Sequence, residues 1–316
     1  MTVNDGDGGV VLKDATMREG VDVPGVALDP DQKKALLARL ADAQVPEAEL
    51  VAPGHFDRDL SALAAAGAPE LPIRSSGLVY GNGTGWREQI GKAKGVLDRI
   101  DILVPLSDLR PPADRGEKAR LMREALRVAN GEFGDAGAGF PHATQVERRF
   151  VLAMCAEAAH AGAKRITLYD TNGSSDPWAV EDLVKSVRGV TGIAICFHAH
   201  NDLGMATANA VAAVRGGATC LDVTVNGLGD RAGNASLEQV ALALHVTGVR
   251  HGLRLAALRD LSRAVEAMTR IPVSKLAPIV GEFAFRHKSP SHLEAPALFE
   301  AFDPALVGVL RSLCEE

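Results

Sequence analysis

The feature that most constrains the fold is one unit repeated along the chain. A short β-branched or apolar run is followed by a loop and then by an alanine-rich stretch with helical periodicity, and the unit recurs eight times between residues 10 and 249. Strands that alternate with helices predict a parallel sheet. Eight units within about 250 residues favour an α/β fold with a closed (β/α)8 TIM barrel over an open doubly wound sheet.

The predicted boundaries divide the chain into two parts. Residues 1–250 are expected to form the barrel domain, and residues 251–316 a small C-terminal helical subdomain. The predicted strands cover residues 10–16, 48–52, 72–80, 100–106, 136–139, 165–169, 193–198 and 220–225, and the predicted helices cover residues 30–43, 57–66, 86–97, 117–130, 145–161, 177–187, 204–216 and 237–246.

Bulk composition excludes several classes of protein. The 316 residues are 47% hydrophobic and carry a formal net charge of -6, without a cluster of basic residues, so neither nucleic acid nor a membrane surface is expected as a partner. No apolar run reaches the roughly 18 residues that span a membrane, and residues 1–9 lack the features of a signal peptide. The four scattered cysteines are expected to be buried, reduced thiols of a cytoplasmic protein: Cys155, Cys196, Cys220 and Cys314.

Two histidines at the end of the predicted seventh strand point to a metal. His198 and His200 are two residues apart, and in a strand this spacing directs both side chains to the same face. Active sites of such barrels lie at the carboxyl ends of the strands, so both imidazoles are expected at the barrel mouth. Two imidazoles there can share one divalent metal, and their residue types suit Zn, Mn, Mg or Co.

A carboxylate and a guanidinium follow the first strand, which neighbours the last strands in a closed barrel. We expect Glu19 to be the third metal ligand and Arg18 to hold a developing oxyanion. Such a metal keeps open positions for a bidentate 2-oxo acid. A surface ion pair between Arg18 and Glu19 is the simpler alternative, and the two residues by themselves do not decide between these interpretations.

A glycine-rich loop follows the predicted eighth strand. Residues 226–234 (NGLGDRAGN) contain three glycines, which let backbone approach a ligand closely, although the spacing matches neither a dinucleotide-binding nor a P-loop motif. We expect Asn226 and Asn234, at the two ends of this loop, to bind substrate.

Together these motifs resemble the homocitrate synthase and 2-isopropylmalate synthase family, which is related to HMG-CoA lyase. The resemblance covers nearly the whole chain. It is carried by residues 14–20 (DATMREG), 169–173 (YDTNG), 198–209 (HAHNDLGMATAN), 224–238 (TVNGLGDRAGNASLE), 278–281 (PIVG) and 285–289 (FRHKS).

The resemblance implies an activity and a set of roles. The family reaction adds the methyl carbon of acetyl-CoA to the ketone of a 2-oxo acid and then hydrolyses the thioester. By resemblance, Glu19, His198 and His200 bind the metal, Arg18 stabilises the oxyanion, and Thr171 holds the carboxylate of the 2-oxo acid. His292 is the implied catalytic base. A homodimer is implied, with the C-terminal segment reaching toward the barrel of the partner.

The sequence departs from the family pattern around the acid/base residues. A glutamate usual after the fifth strand is missing from residues 137–143 (GAGFPHA), where His142 either takes over proton transfer or is a loop histidine without a role. Phe299 stands where a tyrosine is expected. The loops of Tyr80, Asn82 and Phe140 also differ, so the acceptor acid stays open.

Three functions are therefore weighed. The leading one is an acyltransferase that condenses acetyl-CoA with a 2-oxo acid. The second is a carbon–carbon lyase that uses the same metal site, but such lyases commonly carry a cysteine in the loop after the eighth strand, where this chain has Asp230 and Arg231. The third is a barrel without activity that acts as a binding subunit, against which the intact metal set argues.

Overall fold

A computed structural model describes residues 9–66, 73–110 and 114–313 of the chain. Eight parallel strands form a closed barrel in chain order, and β1 pairs with both β2 and β8. The strands are β1 Val11–Asp14, β2 Glu47–Val51, β3 Arg74–Tyr80, β4 Arg99–Leu103, β5 Ala136–Phe140, β6 Arg165–Asp170, β7 Ala194–Ala199 and β8 Cys220–Val223.

Helices connect successive strands and form the outer layer. They are α1 Pro30–Asp42, α2 Phe56–Ala66, α3 Trp86–Ala93, α4 Arg115–Phe133, α5 Arg148–His160, α6 Pro177–Thr191, α7 Ala206–Gly216 and α8 Leu237–Val246. The predicted TIM barrel is confirmed, including the fifth strand, and all eight predicted helices are found. Most predicted boundaries differ from the observed ones by a few residues at element ends, where loop geometry rather than periodicity decides.

Local sequence explains where several helices begin. Asp29 caps α1 by accepting a hydrogen bond from the backbone amide of Gln32, whose side chain accepts one from the Asp29 amide in return. Asp114, Asp176 and Ser236 cap α4, α6 and α8 in the same position. These caps satisfy backbone amides that the first helical turn leaves without partners.

The two faces of the barrel strands differ in chemistry. Apolar side chains of the strands pack outward against the helices, as in Ile100, Ile102 and Ala138. The interior is charged instead: Arg165 makes two hydrogen bonds to Glu47, of 2.6 and 2.8 Å, and lies 3.4 Å from Asp101. These groups are almost fully buried. Buried charges require such pairing, because an isolated ion in the interior is strongly destabilising.

Two glycines of β5 make room for this charged interior. A Cβ atom at Gly137 would collide with the carboxylate of Asp101 and the guanidinium of Arg99, and one at Gly139 would lie 2.6 Å from Cδ2 of Leu103. The two glycines, which lower the β-propensity of β5, are therefore required by larger side chains on the adjacent strands.

The chain after the barrel begins with a helix that belongs to the outer layer. Helix α9 (Leu258–Thr269) contacts α1, and its Leu258, Leu261 and Val265 join the main hydrophobic core. The following segment contains the short strand β9 (Arg286–His287), the one-turn helix α10 (Pro290–Glu294) and the short strand β10 (Ser312–Leu313), which pairs with β9. We propose that a C-terminal subdomain begins after α9, later than the expected boundary at 250.

Cys155, Cys196 and Cys220 are buried free thiols, as expected, whereas Cys314 lies outside the described residues. Within the described ranges, no helix is both long and apolar enough to cross a membrane.

The close packing around Gly137 predicts how a substitution there changes stability. Gly137→Ala is expected to lower the free energy of unfolding by about 2–3 kcal/mol, because the added methyl group must displace a buried ion pair. Gly131→Ala is the matched control, since Gly131 lies on the exposed side of α4 with open space around it and alanine favours a helix by up to about 1 kcal/mol. Urea denaturation measures both, and an equal effect of the two substitutions would contradict the packing argument.

Candidate metal centre

Three predicted metal ligands meet at the barrel mouth. Glu19 follows β1, His198 lies on β7 and His200 follows that strand directly. One ligand atom of each side chain lies within 4.8 Å of the other two, and all three residues are buried. A bridge between His200 and Asn234 holds the backbone of His200 against the glycine-rich loop. The strand spacing of two thus brings both imidazoles to one point beside the carboxylate.

His198 is oriented by a carboxylate on the neighbouring strand. Its Nδ1 lies 3.0 Å from Oδ2 of Asp222. Burial opposes ionisation of Asp222, but Lys13 and His198 hold the pKa of that carboxyl well below its ordinary value. Because a carboxylate only accepts hydrogen bonds, the proton of neutral His198 lies on Nδ1 and the lone pair on Nε2, which faces the cluster.

Both histidines are electrically neutral in this environment. Burial is the largest influence lowering the pKa of His198, and burial followed by the nearby His198 lowers the pKa of His200 to about 2. The two Nε2 atoms lie 3.3 Å apart, and Nδ1 of His200 has no hydrogen-bond partner among the described residues. Neutral imidazoles with free lone pairs are the form that binds divalent metals.

Arg18 is held beside the cluster by a residue that sequence reasoning missed. Its Nε donates a hydrogen bond of 2.6 Å to Oε1 of Glu49, and Arg18 also forms an ion pair with Glu19. Burial disfavours the charge of Arg18, yet Glu49 reverses this effect and raises its pKa. The guanidinium is therefore a fixed positive charge next to the predicted metal ligands.

The same carboxylate connects the site to the barrel interior. Glu49 pairs with Lys13, and Nζ of Lys13 lies 3.1 Å from Oδ1 of Asp222. Lys13 and Glu49 are fully buried. One ionic network thus positions Arg18 through Glu49 and His198 through Asp222.

The two asparagines of the glycine-rich loop have different environments. Nδ2 of Asn234 donates to Nε2 of His198 over 2.9 Å, so this side chain lies at the cluster. The Asn226 side chain instead bonds to Ser262 of α9, through both its amide nitrogen and its oxygen. The structure does not bring the Asn226 side chain to the predicted metal ligands; its contacts join the loop to α9.

Thr171 and His142 lie together on the loops after β6 and β5. Oγ1 of Thr171 accepts a hydrogen bond of 2.7 Å from the backbone amide of His142, and the His142 ring contacts Gln145. Burial lowers the pKa of His142. Arg231, on the loop after β8, donates hydrogen bonds to the backbone oxygen of Thr171 and to the carboxylate of Asp202. The bond to Thr171 joins the loop after β8 to the loop after β6.

His292 lies away from these residues, in the C-terminal segment. Its Nδ1 is 3.2 Å from Nδ1 of His287, and its ring stacks on Phe299. No hydrogen bond or ring contact joins His292 to the barrel-mouth ligands within the part of the chain that the structure describes.

Glu49, Asp222 and Tyr169 are the site residues that the sequence analysis did not identify. Tyr169 lies on β6 with its ring 4.6 Å from that of His198, and its buried hydroxyl has no partner among the described residues. Burial and then Glu49 raise its pKa well above the ordinary value, so the phenol stays protonated. The available signal was a polar residue at alternate positions within an otherwise apolar strand, which indicates an inward-facing side chain.

A second group of potential ligands lies deeper in the barrel. Cys196, Cys220 and Asp222 are close enough to share an ion. Lys13 already pairs with Asp222, however, and Arg165 lies 3.6 Å from Sγ of Cys220. Two buried positive charges make this position unfavourable for a cation. At Glu19, His198 and His200, the buried cation Arg18 is paired with Glu19 and Glu49, and Arg231 is exposed and paired with Asp202.

Comparison with known proteins identifies the family. The sequence model of the HMGL-like family matches residues 10–265, which is most of the chain. The chain belongs to the HMGL-like family. A homocitrate synthase of Frankia alni is 34% identical to this HMGL-like chain, over 97% of the chain and 89% of that protein. A 2-isopropylmalate synthase of Sulfolobus acidocaldarius is also 34% identical, over 96% of the chain and 81% of that protein.

Solved structures of HMGL-like barrels share the fold. The hydroxymethylglutaryl-CoA lyase of Pseudomonas aeruginosa has a TM-score of 0.72 at 18% identity, covering 84% of this chain and 95% of that chain. The carboxyl transferase domain of Rhizobium etli pyruvate carboxylase has a TM-score of 0.70 at 22% identity, covering 83% of this chain and 47% of that chain. The predicted family resemblance is confirmed by the relatives, and these structures confirm the barrel.

The shared role of Glu49 makes a second stability prediction. Glu49→Gln is expected to lower the free energy of unfolding by about 3–5 kcal/mol, because Lys13 and Arg18 each lose a buried counter-charge. Glu88→Gln is the control, because Glu88 pairs with Lys92 on an exposed helix surface, where such pairs contribute less than about 1 kcal/mol. Chemical denaturation that showed equal losses would mean that Glu49 does not hold the network together.

Proposed function

We propose that this HMGL-like protein is an acyltransferase that condenses acetyl-CoA with a 2-oxo acid. The observation that carries the proposal is the buried group of Glu19, His198 and His200 with Arg18 fixed beside it. The names of the relatives support the same class of reaction, since homocitrate synthases and 2-isopropylmalate synthases are among them.

The donor set fits a divalent metal. It combines two neutral imidazoles with a carboxylate, and the Nε2 atoms of the two imidazoles lie 3.3 Å apart. When bound by Glu19, His198 and His200, the metal would supply Lewis-acid polarisation of the ketone of the 2-oxo acid. Zn, Mn, Mg and Co are all compatible with these ligands.

The protein's own groups are assigned roles around the acceptor. Arg18 donates hydrogen bonds to the oxygen that gains negative charge, and Glu49 keeps the guanidinium in place without reorganisation. Asn234 borders the same position, and Thr171 binds the carboxylate of the acceptor. We assign Asn226 an indirect role in substrate binding. Its side chain bonds to Ser262 and thereby anchors the glycine-rich loop.

The proposed reaction combines a proton transfer, the formation of a carbon–carbon bond and the hydrolysis of a thioester. His292 accepts a proton from the methyl group of acetyl-CoA, and the electron pair of that C–H bond forms the new bond to the ketone carbon. The ketone oxygen takes up a proton, and water then cleaves the thioester to give a 2-hydroxy-2-carboxymethyl diacid and free CoA thiol.

Because His292 lies in the C-terminal segment, we propose that it serves the barrel of a second copy in a homodimer. A molar mass of one chain in sedimentation equilibrium would contradict this arrangement. The buried free thiols support a cytoplasmic location. A lyase remains the alternative chemistry for this metal set, but Asp230 and Arg231 in the loop after β8 favour the synthase.

The reaction is tested by thiol release. Metal-loaded protein incubated with acetyl-CoA and a panel of 2-oxo acids is expected to release free CoA thiol in the presence of at least one acceptor and much less without it. Arg18→Lys is expected to lower kcat/KM by about 100-fold or more. Lysine lacks the fork of N–H donors with which the guanidinium contacts Glu49 and the substrate oxygen at the same time. Absence of acceptor-dependent thiol with every acid would refute the proposal.

The metal site is tested by metal content. His200→Ala protein, reconstituted with Zn or Mn and freed of excess ion, is expected to lose most of its bound metal because one of three ligands is removed. His160→Ala is the control, since His160 is an exposed histidine at the end of α5. Retention of full metal content by His200→Ala would exclude this site.

A further inference from the structure

The C-terminal segment contains a chain of three hydrogen-bonding side chains that ends at His292. Nε2 of His287 lies 3.0 Å from Oε1 of Glu300, and Nδ1 of His287 lies 3.2 Å from Nδ1 of His292. The Glu300 side chain is only 6% exposed and that of His287 only 8%. None of these contacts depends on the barrel-mouth ligands.

Glu300 is the fixed end of this chain. Arg311 binds both of its oxygens, at 2.7 and 2.6 Å. Hydrogen bonding by Arg311 is the main cause that lowers the pKa of Glu300, so the carboxylate is ionised. Arg311 directly precedes β10, which pairs with β9 so that Leu313 lies opposite His287.

The proton positions along this hydrogen-bonded chain can be traced from the ionised carboxylate of Glu300. An ionised carboxylate only accepts hydrogen bonds, so Nε2 of His287 carries a proton and donates it to Glu300. If His287 carries no second proton, its Nδ1 has the lone pair and accepts. In that state His292 donates from Nδ1, and its Nε2 is left with a lone pair.

We propose that Glu300 and His287 are positioning residues that fix this tautomer of His292, so that its Nε2 is the atom that takes the proton from acetyl-CoA. The proposal rests on the proposed function. When the methyl C–H bond breaks, its electron pair stays on carbon and the proton binds Nε2. The resulting imidazolium keeps its Nδ1–H bonded to His287, and Glu300 stabilises its charge through that ring.

Phe299 supports the arrangement by fixing the plane of the His292 ring. The two rings stack with centroids 3.7 Å apart and an interplanar angle of 13°. The phenyl ring covers one face of the imidazole and has no polar group to compete for its nitrogens. The relay also supplies a carboxylate to the acid/base half of the site, although Glu300 lies far in sequence from residues 137–143, where the family pattern has one.

The tautomer is tested directly by NMR on the full-length protein with 15N-labelled histidine. Long-range 1H–15N correlations near neutral pH are expected to show a protonated Nδ1 and an unprotonated Nε2 for His292, with the reverse for His287. His292→Gln and His287→Gln proteins identify the signals by their loss. A proton on Nε2 of His292, with His287 doubly protonated, would overturn the proposal.

Kinetics distinguish a positioning role from a purely structural one. Glu300→Gln replaces the acceptor-only group by an amide that can also donate, so both tautomers of His292 become populated. It is expected to lower kcat by at least about tenfold with little change in either KM. Glu294→Gln changes an exposed residue on α10, the short helix that also contains His292, and is expected to leave kcat unchanged. Equal kcat values for Glu300→Gln and wild type would also overturn the proposal.

The proposed condensation and the hydrogen-bond relay can be refuted separately. If wild-type protein shows the expected tautomers but releases no thiol with any acceptor, the proposed function is wrong and the hydrogen-bond relay stands. If thiol is released and His292 carries its proton on Nε2, the condensation stands and the relay is wrong. The NMR measurement on the wild-type protein needs no variant, so it is informative even if Glu300→Gln loses its fold.

Discussion

The interaction on which the rest of the site depends is the buried carboxylate of Glu49, shared by Lys13 and Arg18. Glu49 lies on β2 inside the barrel, and a buried carboxylate is tolerated there because both cations contact it. Lys13 also contacts Asp222, which orients His198. One network of charges therefore fixes a guanidinium and an imidazole at the same end of the barrel, before any substrate binds.

The same network of charges explains why the group of Glu19, His198 and His200 at the barrel mouth suits a metal better than the group deeper in the barrel. The deeper group of Cys196, Cys220 and Asp222 is already neutralised by Lys13 and Arg165. At the mouth, burial keeps both histidines neutral, and their Nε2 atoms lie 3.3 Å apart beside Glu19. The interior charges thus restrict a cation to the level where a substrate can reach it, at the carboxyl ends of the strands.

The sequence predicts the parts of this account that depend on periodicity. Alternation of strands and helices predicts the barrel, and the spacing of His198 and His200 predicts that they share a face. Glu49 and Asp222 were not predicted, because their importance comes from neighbours distant in sequence, such as Lys13 and His198. The Asn226 side chain was expected at the substrate, but a residue of α9, outside the repeat, binds it. Partners of this kind follow from three-dimensional packing, which one sequence does not reveal.

The most direct test of the account is the position of a bound metal ion. Crystals grown with Mn and measured at the Mn absorption edge are predicted to show one anomalous peak, between the carboxylate of Glu19 and the Nε2 atoms of His198 and His200. A peak at Cys196, Cys220 and Asp222 instead, or none at the barrel mouth in protein that condenses acetyl-CoA with a 2-oxo acid, would contradict the central claim.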